Sequence, residues 1–129
     1  MLGRYTAILV SVVLTFLGST GVYGAAGPWS ETDHGAVRLV AATNSVGSGE
    51  SLTLGLHFRL KKGWKVYWRS PGDAGFPPQP NWSGSRNLEN MSVDWPRPIR
   101  FDVQGLTTLG YKDEVVLPLA ARLSEPGKA

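Results

Sequence analysis

The sequence predicts an all-β protein built as an antiparallel β-sandwich, and three observations support this prediction. Apolar residues occupy every second position of Ser51–Leu60, so a strand would place all five on one face. Sixteen glycines and nine prolines divide the chain into short segments, as expected for a protein with many turns. No segment after the N-terminal apolar run has a helical period, so the prediction contains no helix in the mature domain.

The N-terminus predicts a secretory signal peptide. Arg4 is the one charged residue before an apolar run that is strongest at 7–17, and small residues follow at Gly24 and Ala26. Cleavage is expected after Gly24 or after Ala26, so that 1–24 is the signal and 25–129 is one domain. An uncleaved membrane anchor is the alternative, but the apolar run is shorter than the roughly 20 residues that span a bilayer. The remaining 105 residues match the roughly 100 residues of an immunoglobulin-type sandwich.

Six strands are predicted from the alternation of apolar residues and the turn residues between them. They are Gly35–Thr43, Ser51–Leu60, Trp64–Arg69, Met91–Trp95, Ile99–Val103 and Glu114–Leu123. The second and third are separated by Lys61–Gly63, which predicts a β-hairpin. Four prolines and two glycines between Ser70 and Pro80 exclude a helix or a central strand there. The segment from Gly105 to Glu114 is predicted to be a conformationally restricted loop.

The composition excludes several kinds of chemistry. With no cysteine, the sequence as given has no thiol chemistry, no iron–sulfur cluster and no cysteine-ligated zinc. Without Arg4 it has twelve basic and ten acidic residues, a balance that argues against nucleic-acid binding. Basic residues and tryptophans alternate between Arg59 and Arg69, and we interpret them as the solvated and core faces of strands.

No catalytic, cofactor-binding or metal-binding residue is predicted. His34 and His57 are the only histidines and have no spaced partner, so surface positions are expected for both. A carboxylate acid–base pair would need two side chains that converge with separated pKa values, which the sequence does not establish. The candidate carboxylates are Asp73, Asp94, Asp102, Asp113 and Glu114.

The proline- and glycine-rich segments are the strongest candidates for a binding surface. Pro71, Gly72, Asp73 and Phe76 lie in the segment that follows the Trp64–Arg69 strand. Prolines fix φ and glycines permit positive φ, so such loops have defined conformations. Defined loops at one end of a sandwich often bind partners, although they also serve simply to close the sandwich.

Three segments of the sequence are long and distinctive: GWKVYWRSPGDAGFPPQPNWSGS at Gly63–Ser85, WPRPIRF at Trp95–Phe101 and GLTTLGYKDEVVLPL at Gly105–Leu119. In these segments the chain resembles the N-terminal domain of DsbD-type protein-disulfide reductases, and is closest to the branch that includes the ScsB proteins. The resemblance extends from about Ala36 to Leu123. It implies a periplasmic, immunoglobulin-like domain that receives electrons from a thioredoxin-like domain. In the family, this domain passes them to periplasmic thiol proteins, including factors of cytochrome c biogenesis, by thiol–disulfide exchange.

The sequence departs from the family at the reacting residues. The family's cysteine pair follows the strand that matches Val115–Leu123, whereas this sequence ends at Ala129 without a cysteine. The resemblance therefore implies a domain incomplete at its C-terminus, lacking its last strands, with an unpaired sheet edge and low stability or self-association. Leu109, Gly110 and Tyr111 resemble in position the loop that caps the family's cysteine pair.

Two functions follow from these expectations. The first is a periplasmic DsbD-type domain, a fragment or a domain that retains only protein binding, with no redox activity of its own. The alternative is a stand-alone periplasmic module that binds a protein through its proline- and glycine-rich loops. Partners under the first are periplasmic thiol proteins or a thioredoxin-like domain, with no nucleic acid and no membrane span after signal cleavage. An enzyme based on carboxylates or a histidine-bound metal has little support.

Overall fold

The computed structural model describes residues 24–42 and 49–128, and these residues form eight strands and no helix. The strands are β1 Ser30–Thr32, β2 Gly35–Ala41, β3 Ser51–Leu60, β4 Lys65–Gly72, β5 Leu88–Val93, β6 Ile99–Val103, β7 Leu106–Lys112 and β8 Glu114–Leu123. The predicted signal peptide lies outside the described residues except for Gly24. Over the described part of the chain, no helix is long and apolar enough to cross a membrane.

The strands form two antiparallel sheets, which confirms the predicted all-β, immunoglobulin-like sandwich. The larger sheet has the order β1-β2-β3-β8-β5, and the smaller has the order β4-β7-β6. The chain passes from one sheet to the other after β3, β4, β5 and β7. Most sequence neighbours are therefore not sheet neighbours, and the pairings of β3 with β8 and of β4 with β7 join distant parts of the sequence.

The core lies on the face of β3 and β8 that the alternation predicted. Leu54 pairs with Leu119 and Leu56 with Leu117, and the side chains of Leu117 and Leu119 are each 1% exposed. Because β3 lies between β2 and β8, both of its backbone edges are hydrogen-bonded, and its apolar side chains continue the row formed by Leu117 and Leu119. Burial of this aliphatic row stabilises the larger sheet.

The predicted hairpin of Ser51–Leu60 with Trp64–Arg69 is wrong. β3 pairs with β2 and β8, whereas β4 pairs with β7 in the other sheet. The Leu60 amide donates to the Asp113 carbonyl and the Lys61 amide to the His34 carbonyl, which directs the chain out of the first sheet. Gly63, at φ 87°, completes the turn. A short connection that contains glycine can form a hairpin turn or can carry the chain from one sheet to the other. The alternation of apolar residues in the two strands does not distinguish these two possibilities.

The segment predicted as a loop between Gly105 and Glu114 is instead strand β7, the centre of the smaller sheet. Its pairing with β6 begins at Val103 and Leu106, with a two-residue turn between them. Gln104 and Gly105 have φ values of 52° and 80°. Positive φ at both central residues is the geometry of a type I′ turn, which matches the twist of the paired strands.

Proline is tolerated in the central strand β8 because of where its nitrogen points. The Pro118 carbonyl accepts a hydrogen bond from the Asp94 amide, just beyond the last residue of β5. In an antiparallel strand, the nitrogen and carbonyl of one residue point to the same side. The missing N–H of Pro118 thus faces the end of β5, and the pairing with β3 loses no donor.

The remaining strand boundaries agree with the sequence to within a few residues. The predictions for Ser51–Leu60, Ile99–Val103 and Glu114–Leu123 are confirmed to the residue. The others shift to β2 Gly35–Ala41, β4 Lys65–Gly72 and β5 Leu88–Val93, while Thr43 lies outside the described residues and β1 was not predicted.

Candidate functional site

Strand β4 bulges away from its partner in the middle of the candidate surface. Tyr67 pairs with Gly110 and Gly72 pairs with Thr108, so 68–71 of β4 stand opposite the single residue Leu109 of β7. The bulge includes Pro71, which fits an edge strand because a proline there costs no ladder hydrogen bond. Bulges of this kind redirect side chains and are common next to functional sites.

Gly72 and Asp73 return the chain to β7 after the bulge. The Thr107 amide donates to Asp73 Oδ2 over 2.8 Å, and the Asp73 amide donates to the Thr107 carbonyl over 3.0 Å. Gly72 has a φ of 94°, and a Cβ there would lie 2.6 Å from the Thr107 oxygen. Glycine is therefore required at this position, and the start of the proline-rich segment is attached to β7 at a defined point.

Phe76 is the most exposed of the large apolar side chains, at 85% of its surface. It follows Gly75, whose φ of 89° lets the backbone lie against the ring of Tyr67. Pro77 and Pro78 come directly after it and restrict the backbone. A phenylalanine held out from a restricted loop loses little conformational entropy on binding, which suits a contact residue.

Leu109, Gly110 and Tyr111 lie in β7 and not in a loop, which corrects the cap-loop geometry predicted for them. Tyr111 is 5% exposed, and its hydroxyl donates to the Pro96 carbonyl over 2.7 Å. Burial raises the pKa of Tyr111, an effect that the charge of Arg69 partly opposes. The structure thus brings Leu109 and Gly110 beside the β4 bulge, with Tyr111 as a buried link to the segment before β6.

Replacing Tyr111 by phenylalanine is expected to lower the free energy of unfolding by about 0.5–1.5 kcal/mol, because the Pro96 carbonyl loses its donor. A raised folded-state pKa means that this tyrosine stabilises the fold below its unfolded pKa of about 10, and the contribution is lost as pH rises through the folded value. Urea titrations at pH 8 and at pH 11 measure both effects. The difference in free energy of unfolding between wild type and Tyr111→Phe should be smaller at pH 11 than at pH 8. An equal difference at the two pH values would contradict a raised pKa for Tyr111.

Replacing Asp73 by alanine is expected to cost about 0.5–1.5 kcal/mol, because the Thr107 amide loses its acceptor. Asp73→Asn keeps a side-chain oxygen and should recover part of the loss. Hydrogen exchange at the Thr107 amide is the sharper measurement, since this amide donates directly to Asp73 Oδ2. Unchanged exchange in Asp73→Ala would show that the contact does not hold the bulge to β7.

Three of the five candidate carboxylates, Asp73, Asp102 and Glu114, make side-chain hydrogen bonds. Asp102 accepts from Thr107 Oγ1 over 2.6 Å and from Arg100 Nε, and these contacts lower its pKa, with the Thr107 bond contributing most. A lowered pKa keeps Asp102 ionised, whereas a general acid at neutral pH needs a raised one. Asp73 and Asp102 do meet at Thr107, but the arrangement positions backbone and hydroxyl groups and is not poised for proton transfer.

Both histidines contact other side chains, which the sequence did not predict. His57 is 12% exposed in its side chain, accepts from Arg38 Nε at Nδ1 over 3.1 Å and contacts Glu114 Oε1 over 2.5 Å. His34 is exposed and stacks on Trp64 at 3.6 Å between ring centroids. The surface position holds for His34, whereas neighbouring side chains cover His57. In the described residues, no group of three His, Cys, Asp or Glu side chains is arranged to hold a metal.

One feature near the site gave no sequence signal, because it forms only when the two sheets meet. A cavity of about 490 Å³ opens along the free edge of β4. Val37, Phe58 and Leu60 of the larger sheet line it, together with Val66, and Trp64 lies at its rim with 46% of its surface exposed. Its volume is in the range of protein binding pockets.

Comparison with known proteins gives a family and a related structure. Residues 36–129 match the family model described as thiol:disulfide interchange protein DsbD, N-terminal. The crystal structure of the N-terminal periplasmic domain of ScsB from Proteus mirabilis is similar, at 37% sequence identity and a TM-score of 0.65. That match covers 77% of this chain and 39% of the ScsB chain. A search of curated proteins gives no match.

Proposed function

Because the chain belongs to the family of DsbD N-terminal domains, we propose that it is a periplasmic domain that binds thiol-dependent redox proteins without exchanging disulfides itself. Thiol–disulfide exchange needs an attacking thiolate and a sulfur to attack, and this sequence contains neither. The family fold is present without the reacting atoms. Recognition is then the function that the chain's own residues supply.

The observation that carries the proposal is the surface formed by the β4 bulge, the proline-rich segment and β7. Asp73 and Gly72 hold this segment to β7, and Phe76 projects from it with 85% of its surface exposed. An exposed aromatic side chain on a restricted loop has the character of a binding hot spot. The nearby cavity at the β4 edge extends the apolar area available to a partner.

We propose a thioredoxin-like domain as the partner, since the family's electron donor is of this class. Binding would be non-covalent and independent of the partner's redox state, because no mixed disulfide forms with this chain. The periplasmic location agrees with the similarity to the periplasmic domain of ScsB and with the predicted signal peptide.

Isothermal titration of the exported protein with the thioredoxin-like domain of a DsbD-type protein from the same genome tests this function. Binding is expected in reduced and oxidised buffer alike, and Phe76→Ser should weaken it at least tenfold. Val116→Ser is the matched control, because Val116 is also exposed, at 42%, but lies on the outer face of the other sheet. Absence of binding by wild type, or equal loss in both variants, would overturn the proposal.

A further inference from the structure

The outer face of the larger sheet carries a cationic cluster that the proposed function does not use. Leu117 and Leu119 face the core, so their neighbours on β8, Val116 and Pro118, face outward. His57 pairs with Val116 and with Arg38, which places Arg38, His57 and Val116 in one outward row across β2, β3 and β8.

Trp29 lies over this row, and two guanidinium groups contact its ring. Arg38 Cζ is 4.3 Å and Arg59 Cζ is 4.5 Å from the Trp29 ring centroid, and His57 is tilted against the same ring at 4.9 Å. The two guanidinium carbons are consequently no more than about 9 Å apart, and both lie against the same indole ring.

Neither arginine is neutralised within the part of the chain that the structure describes. The ion pairs found there are His57–Glu114, Arg100–Asp102, Arg122–Glu89 and Lys128–Glu125. Glu114 pairs with Arg59 across the strands, but its carboxylate contacts His57. The cluster therefore combines two arginines with one carboxylate and keeps a net positive charge, and the Nε donor of Arg38 is taken by His57.

An apolar groove lies next to the cluster on the same face. It has a volume of about 290 Å³, and Val40, Gly55, Val116 and Pro118 line it. Val40 follows Arg38 by two residues on β2, and Gly55 precedes His57 by two residues on β3. Two residues of a strand span about 7 Å, so the groove begins within one short aliphatic chain of the guanidiniums.

We propose that this face binds an amphiphile with one carboxylate and a short aliphatic chain. The carboxylate would contact Arg38 and Arg59 beside Trp29, and the chain would cover Val40, Val116 and Pro118. Charge complementarity selects the anionic head, and the mainly apolar lining, in which Thr53 is the polar residue, selects the aliphatic tail. Gly55 is the buried floor of the groove: Val40 and Val116 pack over it, and a Cβ there would lie 2.8 Å from Val116 Cγ1 and 3.0 Å from Val40 Cγ2.

Amide chemical shifts of the exported protein, titrated with sodium octanoate, test the proposal. Saturable millimolar binding is expected, with shifts at Arg38, Gly55, His57 and Val116. Octan-1-ol lacks the charge and acetate lacks the chain, so each should bind at least tenfold more weakly. Equal binding of octanol and octanoate, or no saturable shift at 10 mM octanoate (roughly ten times a 1 mM dissociation constant), would overturn it.

Variants separate the site from general charge effects. Arg38→Gln/Arg59→Gln should weaken octanoate binding at least tenfold. Arg97→Gln/Arg100→Gln removes the same charge from β6 and the segment before it, and should leave octanoate binding unchanged. Because Arg38 also bonds His57, the single change Arg59→Gln, at an exposed position, serves as a second test and should weaken binding at least threefold. Binding to vesicles of anionic phospholipid without binding to octanoate would contradict the proposal in favour of a membrane surface.

Discussion

Leu117→Ala is expected to lower the free energy of unfolding by about 2–5 kcal/mol. Leu117 is 1% exposed and lies opposite Leu56, at the centre of the row that β3 and β8 bury. The substitution removes apolar contact and leaves a cavity, and β8 is held between β3 and β5, so little backbone movement is available to fill it.

Urea denaturation followed by tryptophan fluorescence measures this loss, with Val116→Ala as the control. Val116 is the residue before Leu117 on the same strand, but it faces outward and is 42% exposed. The control should cost less than about 1 kcal/mol, because a partly exposed side chain gives up less transfer free energy. Similar losses in the two variants would mean that the inward and outward faces of β8 have been assigned incorrectly.

Gly110→Ala is expected to cost about 3 kcal/mol, although alanine usually stabilises a strand relative to glycine. Gly110 is buried in the central strand β7 and pairs with both Tyr67 and Ile99. A Cβ there would overlap the Val66 carbonyl oxygen and lie 3.1 Å from the Tyr67 Cα. Both are backbone atoms, so relief requires moving β4 away from β7 at the start of its bulge.

The matched control for Gly110 is Gly84→Ala, because no atom lies within 4 Å of a Cβ at Gly84. Thermal melting of the two variants should show a clear loss of stability for Gly110→Ala and little change for Gly84→Ala. A stable Gly110→Ala variant would show that β4 and β7 are not as close as the structure places them.

The sequence predicted strands where one face of the strand is buried. Ser51–Leu60 alternates because β3 has core on one side only, and this pattern needs no knowledge of the partner strand. β7 was missed because its residues do not alternate: Thr108, Gly110 and Tyr111 are all buried, so both faces of the strand are covered. Its hairpin turn, Gln-Gly, is also a weaker turn signal than Asn-Gly.

Sheet membership and the site were less accessible to sequence reasoning. The turn at Lys61–Gly63 has the residues of a hairpin, and its role as a crossing depends on hydrogen bonds to His34 and Asp113, both distant in sequence. Pro71, Gly72, Asp73 and Phe76 were identified as a candidate surface from their restricted backbone. Their attachment to Thr107 depends on the β4 bulge. The bulge arises from the pairing of β4 with β7, and it has no recognisable pattern in the sequence of β4 itself.

Competition in a reconstituted electron-transfer reaction tests the proposed binding without exchange most directly. A reduced thioredoxin-like domain transfers electrons to a cysteine-containing DsbD N-terminal domain, and the purified protein of this sequence is added in increasing excess. We predict that transfer slows in a saturable way, that more of the cysteine-containing domain restores it, and that Phe76→Ser competes poorly. An unchanged rate at large excess, or inhibition equal for wild type and Phe76→Ser, would contradict the account.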